Sequence, residues 1–255
     1  MSKDAQQDAI SGTGKKVAIV GALEEELGPL GGRIWKPVTQ RLDSLQVTEG
    51  RLGDSRVVLA ATGDGEQAAG AGISRLLAHH EVDALIVVGV AGGLDPGLQA
   101  GAVVVARAVH NGTGPVGEPD QGWLGRALQR EGTVEGTVVS SSGIAVDPES
   151  KSRLRLDLGS EGPAVVDLES ATYAREAVAR SIPYLVLRAV SDTADETLPL
   201  DFNRFRSADG RIDRHRVMRH ALLHPGLLPR LLALRHRVNE CAQRLADITE
   251  SLLCE

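Results

Sequence analysis

The sequence contains few aromatic residues and few cysteines. Phe, Trp and Tyr occur twice each and make up 2% of the chain, so a nucleic-acid platform of stacked aromatic rings is excluded. The two cysteines, Cys241 and Cys254, form no CxxC pair and have no neighbouring His that would complete a metal site. We therefore expect buried or surface thiols, no metal site and no nucleic-acid partner.

The sequence also lacks long apolar runs. No segment has the roughly 18 consecutive apolar residues of a membrane-spanning helix, and residues 1–14 are polar without the apolar core of a signal peptide. The 255 residues, 42% hydrophobic and 24% charged, are typical of one large globular domain. We predict a flexible tail over residues 1–14, one domain with a long C-terminal helix over residues 15–255, and a cytoplasmic location.

Charge is distributed unevenly along the chain. The net charge is −6, yet residues 204–237 contain nine Arg residues against Asp209 and Asp213, which gives this segment +7 and the rest of the chain −13. Two interpretations remain open for the Arg-rich segment, residues 204–237. It forms a solvated or subunit-facing helix surface, or it makes a peripheral contact with anionic phospholipid headgroups.

Apolar runs typical of buried strands alternate with helical segments. The predicted strands are residues 17–20, 56–62, 84–90, 103–106, 134–140, 164–169 and 184–191. Predicted helices begin at Glu24, cover residues 67–80 and 170–181, and end with a C-terminal helix whose apolar stripe, from Leu231 to Leu252, is expected to pack in the core. This alternation predicts an α/β fold: a single domain with a central mixed, twisted sheet flanked by helices.

A glycine-rich turn at residues 63–68 matches the GxGxxA form of a dinucleotide-binding loop. The next predicted strand, however, ends in Val88-Gly89-Val90, where that fingerprint needs an acid for the ribose hydroxyl. The pattern therefore disfavours a dinucleotide cofactor.

Three acids stand at or just beyond the ends of predicted strands: Glu26, Glu169 and Asp192. Each one alone could cap the following helix. Open α/β sheets bind ligands at the carboxyl ends of their strands, and three carboxyl groups there could donate a proton, hold hydroxyl groups and activate water. That division of labour is the one used in glycosyl cleavage.

Four motifs resemble one enzyme family. Residues 165–171 (VVDLESA) and 182–195 (IPYLVLRAVSDTAD) are similar to the signature of the purine nucleoside phosphorylase and uridine phosphorylase superfamily. Residues 20–26 (VGALEEE) resemble the methylthioadenosine/S-adenosylhomocysteine nucleosidases in particular, and residues 89–93 (GVAGG) fit the central glycine loop of the family. The resemblance implies a nucleoside phosphorylase-like fold, a purine nucleoside as substrate and a homo-oligomer, a dimer or larger.

The resemblance also implies roles for individual residues. Asp192 matches the general acid that protonates N7 of the departing purine, and burial is expected to keep it protonated; Ser191 matches a residue that holds this carboxyl group. Glu169 matches the carboxylate that accepts hydrogen bonds from the ribose hydroxyls, and Glu26 the acid that activates water.

Further substrate-binding positions are implied, some with departures from the family pattern. Ala91 and Gly92 belong to the glycine loop, and Phe202 is expected to form a wall for the 5′ substituent. Leu168 stands where Met commonly contacts the sugar, and Ile144 where a Phe packs on adenine.

The resemblance leaves several functions open. Hydrolysis of an adenine nucleoside, with water as co-substrate and no cofactor, is favoured because no Arg lies between Lys16 and Gly32 to attract phosphate. A phosphate-dependent phosphorylase is an alternative. Another is adenine release from adenosylhopane or a related adenosyl lipid, because the chain beyond Asp195 is similar to hopanoid-associated phosphorylase-like proteins. A non-catalytic nucleoside-binding protein is the alternative of a different class.

Overall fold

A computed structural model describes residues 14–159, 162–207 and 211–254. The predicted tail falls almost entirely on residues 1–13, which lie outside these ranges. The strands, β1 to β10 in chain order, are Lys16–Gly21, Trp35–Leu42, Leu45–Leu52, Ser55–Ala61, Ala84–Gly93, Val103–Asn111, Gly114–Gly117, Thr133–Ser140, Ala164–Asp167 and Tyr184–Asp192. The α-helices, α1 to α7, are Glu24–Gly31, Glu66–His79, Gln121–Ala127, Pro148–Leu158, Ser170–Ala179, Arg214–Leu223 and Leu228–Leu253. Short 3-10 helices cover Phe202–Phe205 and Pro225–Leu227.

The strands form one mixed sheet in the order β10-β6-β8-β9-β5-β1-β4-β3-β2, with β7 attached to β6. β10 also pairs with β5, so five strands close into a ring: β10, β6, β8, β9 and β5. β5 runs parallel to both β1 and β10, which brings the carboxyl ends of these strands to the same edge of the sheet. All nine residues of β10 are buried, as expected for a parallel strand that is covered on both faces.

Helices cover both faces of the sheet. Val17 and Ile19 of β1 belong to an apolar cluster shared with α1, α3 and α7, whereas Ala18 and Val20 point into a second cluster shared with α2 and α5. This alternation follows from the two-residue period of a strand. The predicted fold class is confirmed.

The sequence patterns missed several elements at the surface. The hairpin of β2 and β3 was not predicted, because seven of the eight residues of β2 are exposed and show no alternation of apolar and polar residues. Helix α4 was missed for a related reason, since its sole buried residue is a lysine, Lys151. β6 continues to Asn111, well beyond the predicted end at residue 106.

The apolar stripe of α7 has two different surroundings. Cys241, Leu245, Ile248 and Leu252 are buried in the core, as predicted. Leu231, Leu234 and Val238 are only half-buried, so core packing was the wrong explanation for the first half of the stripe. The second half also binds the end of α1 through polar contacts, because Arg33 lies 2.6 Å from Asp247 and 2.9 Å from Glu250.

Candidate active site

The carboxyl ends of the parallel strands border a cavity of about 290 Å³. Every residue that the sequence analysis placed in the site lines this cavity. These residues are Glu26, Ala91, Gly92, Ile144, Leu168, Glu169, Ser191, Asp192 and Phe202. The structure therefore brings together side chains from distant parts of the chain, while their roles remain predictions.

Most of the remaining cavity wall is apolar. Val90, Val166 and Leu198 contribute to it, together with Leu234 and Val238 from the half-buried part of α7. An apolar cleft with a few convergent polar groups is the usual form of a small-molecule site. Phe202 is the aromatic residue among the cavity-lining residues that the structure describes.

Asp192 ends β10 and is 5% exposed. Ser191 donates a hydrogen bond of 2.6 Å from its Oγ to Asp192 Oδ1, which is the contact that the resemblance implied. A Cβ at Gly92 would lie 3.3 Å from Asp192 Oδ2. The lack of a side chain at Gly92 therefore leaves room for this carboxyl group.

Lys151 is a partner of Asp192 that the sequence analysis missed. Its Nζ lies 2.6 Å from Asp192 Oδ2, and the lysine side chain is 0% exposed. Sequence reasoning considered the burial of Asp192 alone and no charged partner for its carboxyl group. The available signal was a lysine near the start of a helix with little apolar periodicity, and that signal is weak.

Glu26 lies in the first turn of α1 and is 3% exposed. Its two carboxyl oxygens accept hydrogen bonds from the backbone N–H groups of Leu23, at 3.0 Å, and Val90, at 2.9 Å. Burial raises the pKa of Glu26, while the charge of Arg188 and these backbone hydrogen bonds oppose the rise. Val90 therefore contributes to the site by holding Glu26 with its backbone N–H group.

Glu169 precedes α5 and is 6% exposed. Its Oε1 accepts a hydrogen bond of 2.8 Å from the backbone N–H of Gly65. Burial, followed by repulsion from the nearby Asp167 carboxylate, raises the pKa of Glu169 to about 8. The glycine turn at residues 63–68, which resembled a dinucleotide loop, thus holds a carboxyl group of the cavity.

Arg188 is a second buried cation that the sequence analysis did not single out. It is 1% exposed in β10; its Nη2 lies 2.6 Å from Asp167 Oδ2, and its Nε donates a hydrogen bond of 3.0 Å to Ser170 Oγ. A Cβ at Gly89 would meet Arg188 Nη1 at 1.9 Å and Glu26 Oε1 at 2.9 Å. A side chain at position 89 would therefore collide with the guanidinium of Arg188 and with the carboxyl group of Glu26. The sequence signal was an arginine within the apolar run 184–190.

One side of the cavity is bordered by residues 201–207 and 211–214, here called the cover segment, from which Phe202 and Ile212 line the cavity. Asn203 binds both backbone groups of Ile144: Oδ1 accepts from N–H at 2.9 Å, and Nδ2 donates to the carbonyl at 2.8 Å. The backbone N–H of Ile212 donates to Asp64 at 2.7 Å, and Arg214 forms an ion pair with Glu25. These contacts position Phe202 and Ile212 against the cavity.

Two kinds of feature are absent from the described ranges. None of the helices there is long and apolar enough to span a membrane. No group of three or more His, Cys, Asp and Glu residues is arranged to hold a metal ion in this part of the chain.

Comparison with known proteins gives consistent similarities. A family model described as "Phosphorylase superfamily" matches residues 16–222. A 5′-methylthioadenosine/S-adenosylhomocysteine nucleosidase of an Exiguobacterium species is 29% identical over 213 residues, which are 74% of this chain and 90% of that protein. A nucleosidase of the same description from Glaesserella parasuis is 26% identical over 211 residues, covering 74% of this chain and 91% of the relative.

Solved structures share the fold. The S-adenosylhomocysteine nucleosidase of Streptococcus pyogenes, in complex with 5-methylthiotubericidin, superposes with a TM-score of 0.75 at 19% identity and covers 96% of this chain and 98% of its own. The corresponding nucleosidase of Neisseria meningitidis, in complex with methylthio-immucillin-A, has a TM-score of 0.74 at 21% identity, with coverages of 94% and 99%.

Proposed function

The chain belongs to the phosphorylase superfamily, and on that basis we propose that it hydrolyses the N-glycosidic bond of a purine nucleoside, with an adenine nucleoside of the methylthioadenosine or S-adenosylhomocysteine type as substrate. One observation carries the proposal: Glu26, Glu169 and Asp192 converge on a single, largely apolar cavity. The names of the curated relatives support the substrate class.

Asp192 acts as the general acid. As the bond between the sugar and the base breaks, its electron pair leaves with the base, and a proton from Asp192 neutralises the resulting negative charge at N7. The sugar develops oxocarbenium character, which nearby carboxylates stabilise electrostatically. Glu169 accepts hydrogen bonds from the ribose hydroxyls and so fixes the sugar in place.

Glu26 activates the attacking water. A general base works best when its pKa lies near the working pH, and burial raises the pKa of Glu26 in that direction. Water suits the site better than phosphate, because no Lys or Arg is among the described residues that line the cavity. A phosphate anion would face carboxyl groups, because the two buried cations nearby, Lys151 and Arg188, do not line the cavity and are paired with Asp192 and Asp167.

The experiment is chromatographic detection of free base. The purified protein is incubated with methylthioadenosine, S-adenosylhomocysteine, adenosine or inosine, each with and without phosphate. We expect adenine release without phosphate, and a loss of about 10²- to 10⁴-fold in the Asp192→Asn variant. Release that requires phosphate would identify a phosphorylase instead, and tight nucleoside binding without release would identify a binding protein.

A second candidate substrate is an adenosyl lipid such as adenosylhopane, and one surface observation favours it. Met218, Leu222 and Leu223 of α6 and Leu232 of α7 are 60–72% exposed within the Arg-rich segment. The adjoining part of α7 also lines the cavity. An exposed apolar surface next to many Arg residues suits anionic lipid headgroups.

Vesicle sedimentation tests the lipid candidate. Binding to anionic vesicles that weakens at high salt, and is absent with zwitterionic vesicles, would support a peripheral membrane contact. The same apolar residues could instead be buried between two copies of the chain, as the predicted homo-oligomer requires. In that case Leu222→Asp dissociates a dimer seen in analytical ultracentrifugation, and the vesicles remain unbound.

A further inference from the structure

Helix α4 lies at the surface, and its sole buried residue is the charged Lys151. Burial of a lysine is costly unless the ammonium group is paired and hydrogen-bonded. Lys151 meets that condition. Its Nζ donates hydrogen bonds to the backbone carbonyls of Thr193, at 2.5 Å, and Glu196, at 3.0 Å, and lies 2.6 Å from Asp192 Oδ2.

These contacts place the ammonium group against the turn that follows β10. The same turn is fixed from the other side, because Glu196 accepts a hydrogen bond of 2.9 Å from the backbone N–H of Thr193 and forms an ion pair of 2.7 Å with Arg237 of α7. Asp192 thus has a fixed position between a hydroxyl donor, Ser191, and a cation, Lys151.

We propose that Lys151 is a positioning residue that fixes the carboxyl group of Asp192 and stabilises the carboxylate that remains once Asp192 has given up its proton. This inference rests on the proposed function, in which Asp192 gives its proton to the departing base. When the proton moves from the carboxyl oxygen to the base nitrogen, the carboxylate that remains lies beside the ammonium group. Lys151 therefore stabilises the product of the proton transfer.

Other charged groups surround this pair. Those near Lys151 and the turn are Asp147, Asp195, Glu196, Arg230 and Arg237. Across the cavity lie the acids Glu26, Asp64, Asp167 and Glu169. Arg188 is paired with Asp167 among these acids, whereas Lys151 is the cation in contact with Asp192 and opposes their repulsion of a negative charge there.

The experiment compares pH profiles of kcat/KM for the wild type, Lys151→Met and Lys151→Arg. Lys151→Met removes the cation that stabilises the Asp192 carboxylate, so the fall in activity at high pH in its profile should move to higher pH. Its maximum should drop by up to about 10²-fold, because the carboxyl group is no longer held in place. Lys151→Arg keeps the charge and should keep the wild-type upper limit of the profile.

Arg237→Met serves as the matched control, because it loosens the same turn and leaves the ammonium group beside Asp192. We expect lower activity at every pH and no movement of the upper limit. A Lys151→Met profile that falls uniformly, like that of the control, would overturn the proposal. Lys151→Gln replaces Lys151→Met if the latter does not fold.

A stability measurement separates this inference from the proposed function. At a pH above the upper limit of its activity profile, where Asp192 has lost its proton, Lys151→Met leaves the Asp192 carboxylate without its cation, so the variant should unfold at a lower temperature there than the double variant Lys151→Met/Asp192→Asn. Equal melting temperatures would overturn the pairing. A wild type that releases no base from any nucleoside would overturn the proposed function alone, since the melting temperatures still report on the pair.

Discussion

The floor of the cavity, formed by Glu26, Glu169 and Asp192, and the cover segment are held in place by different kinds of contact. On the floor, Glu26, Glu169 and Asp192 are each less than 7% exposed and are bound by backbone N–H groups, a hydroxyl group or a buried lysine. On the cover segment, Asn203 and Arg214 provide side-chain contacts at or near the surface.

This difference matters because catalytic groups must hold their geometry, whereas a bound molecule has to enter and leave. Buried groups held by backbone hydrogen bonds lose little freedom when a ligand binds. Partly exposed side-chain contacts are worth less and exchange more easily with water. The floor is therefore suited to the chemistry, and the cover segment to the selection and release of the substrate.

The largest expected effect comes from the floor. Glu26→Gln keeps the shape of the side chain and removes its basicity, so kcat should fall by about 10²- to 10⁴-fold while KM changes little. Steady-state assays and a melting curve check this prediction. Near-normal turnover in a folded Glu26→Gln variant would remove the water-activating role from this residue.

A second variant on the floor, Glu169→Gln, tests how the burial of this carboxyl group affects the stability of the protein. Because the pKa of Glu169 is raised from 4.5 to about 8 in the folded protein, the stability that its protonated form contributes is lost as the pH rises through this range. The melting temperature of wild type relative to Glu169→Gln should therefore fall by several degrees between pH 4.5 and 8, at about 2–4 °C per kcal/mol. A difference that stays constant with pH would show that Glu169 is charged throughout.

The floor was largely predictable from the sequence. β1 and β10 are continuous apolar runs, and an acid at the end of such a run lies at the ligand-binding edge of a parallel sheet. Lys151 and Arg188 were missed because a buried cation has no periodic signature and is stabilised by partners elsewhere in the chain. The contacts of the cover segment were also missed, since Asn203 and Ile144 are 59 residues apart.

A smaller effect is expected at the cover. Asn203→Ala removes both side-chain hydrogen bonds to Ile144, so KM should rise at least about fivefold, at about 0.5–1.5 kcal/mol for each of the two hydrogen bonds, with kcat nearly unchanged. Asn239→Ala, at an exposed position of α7, is the matched control and should behave as wild type. A fall in kcat as large as that of Glu26→Gln would show that Asn203 affects the chemical step as strongly as the floor does.

The smallest effect is expected for Arg214→Gln, which removes the partly exposed ion pair with Glu25. Such pairs contribute about 0–1 kcal/mol, and the contribution should shrink further in high salt. Urea unfolding at two salt concentrations measures it, with Arg219→Gln as control. A loss of unfolding free energy well above this range would mean that the contacts of the cover segment are as strong as those of the floor.

Helix α7 makes contacts close to both Asp192 and Glu26. Arg237 binds the turn next to Asp192, while Asp247, ten residues later and about 15 Å along the axis, binds Arg33 at the end of the helix that carries Glu26. Leu234 of the same helix lines the cavity. An inhibitor that displaces Leu234 and tilts α7 would therefore disturb both contacts, and with them proton donation and water activation.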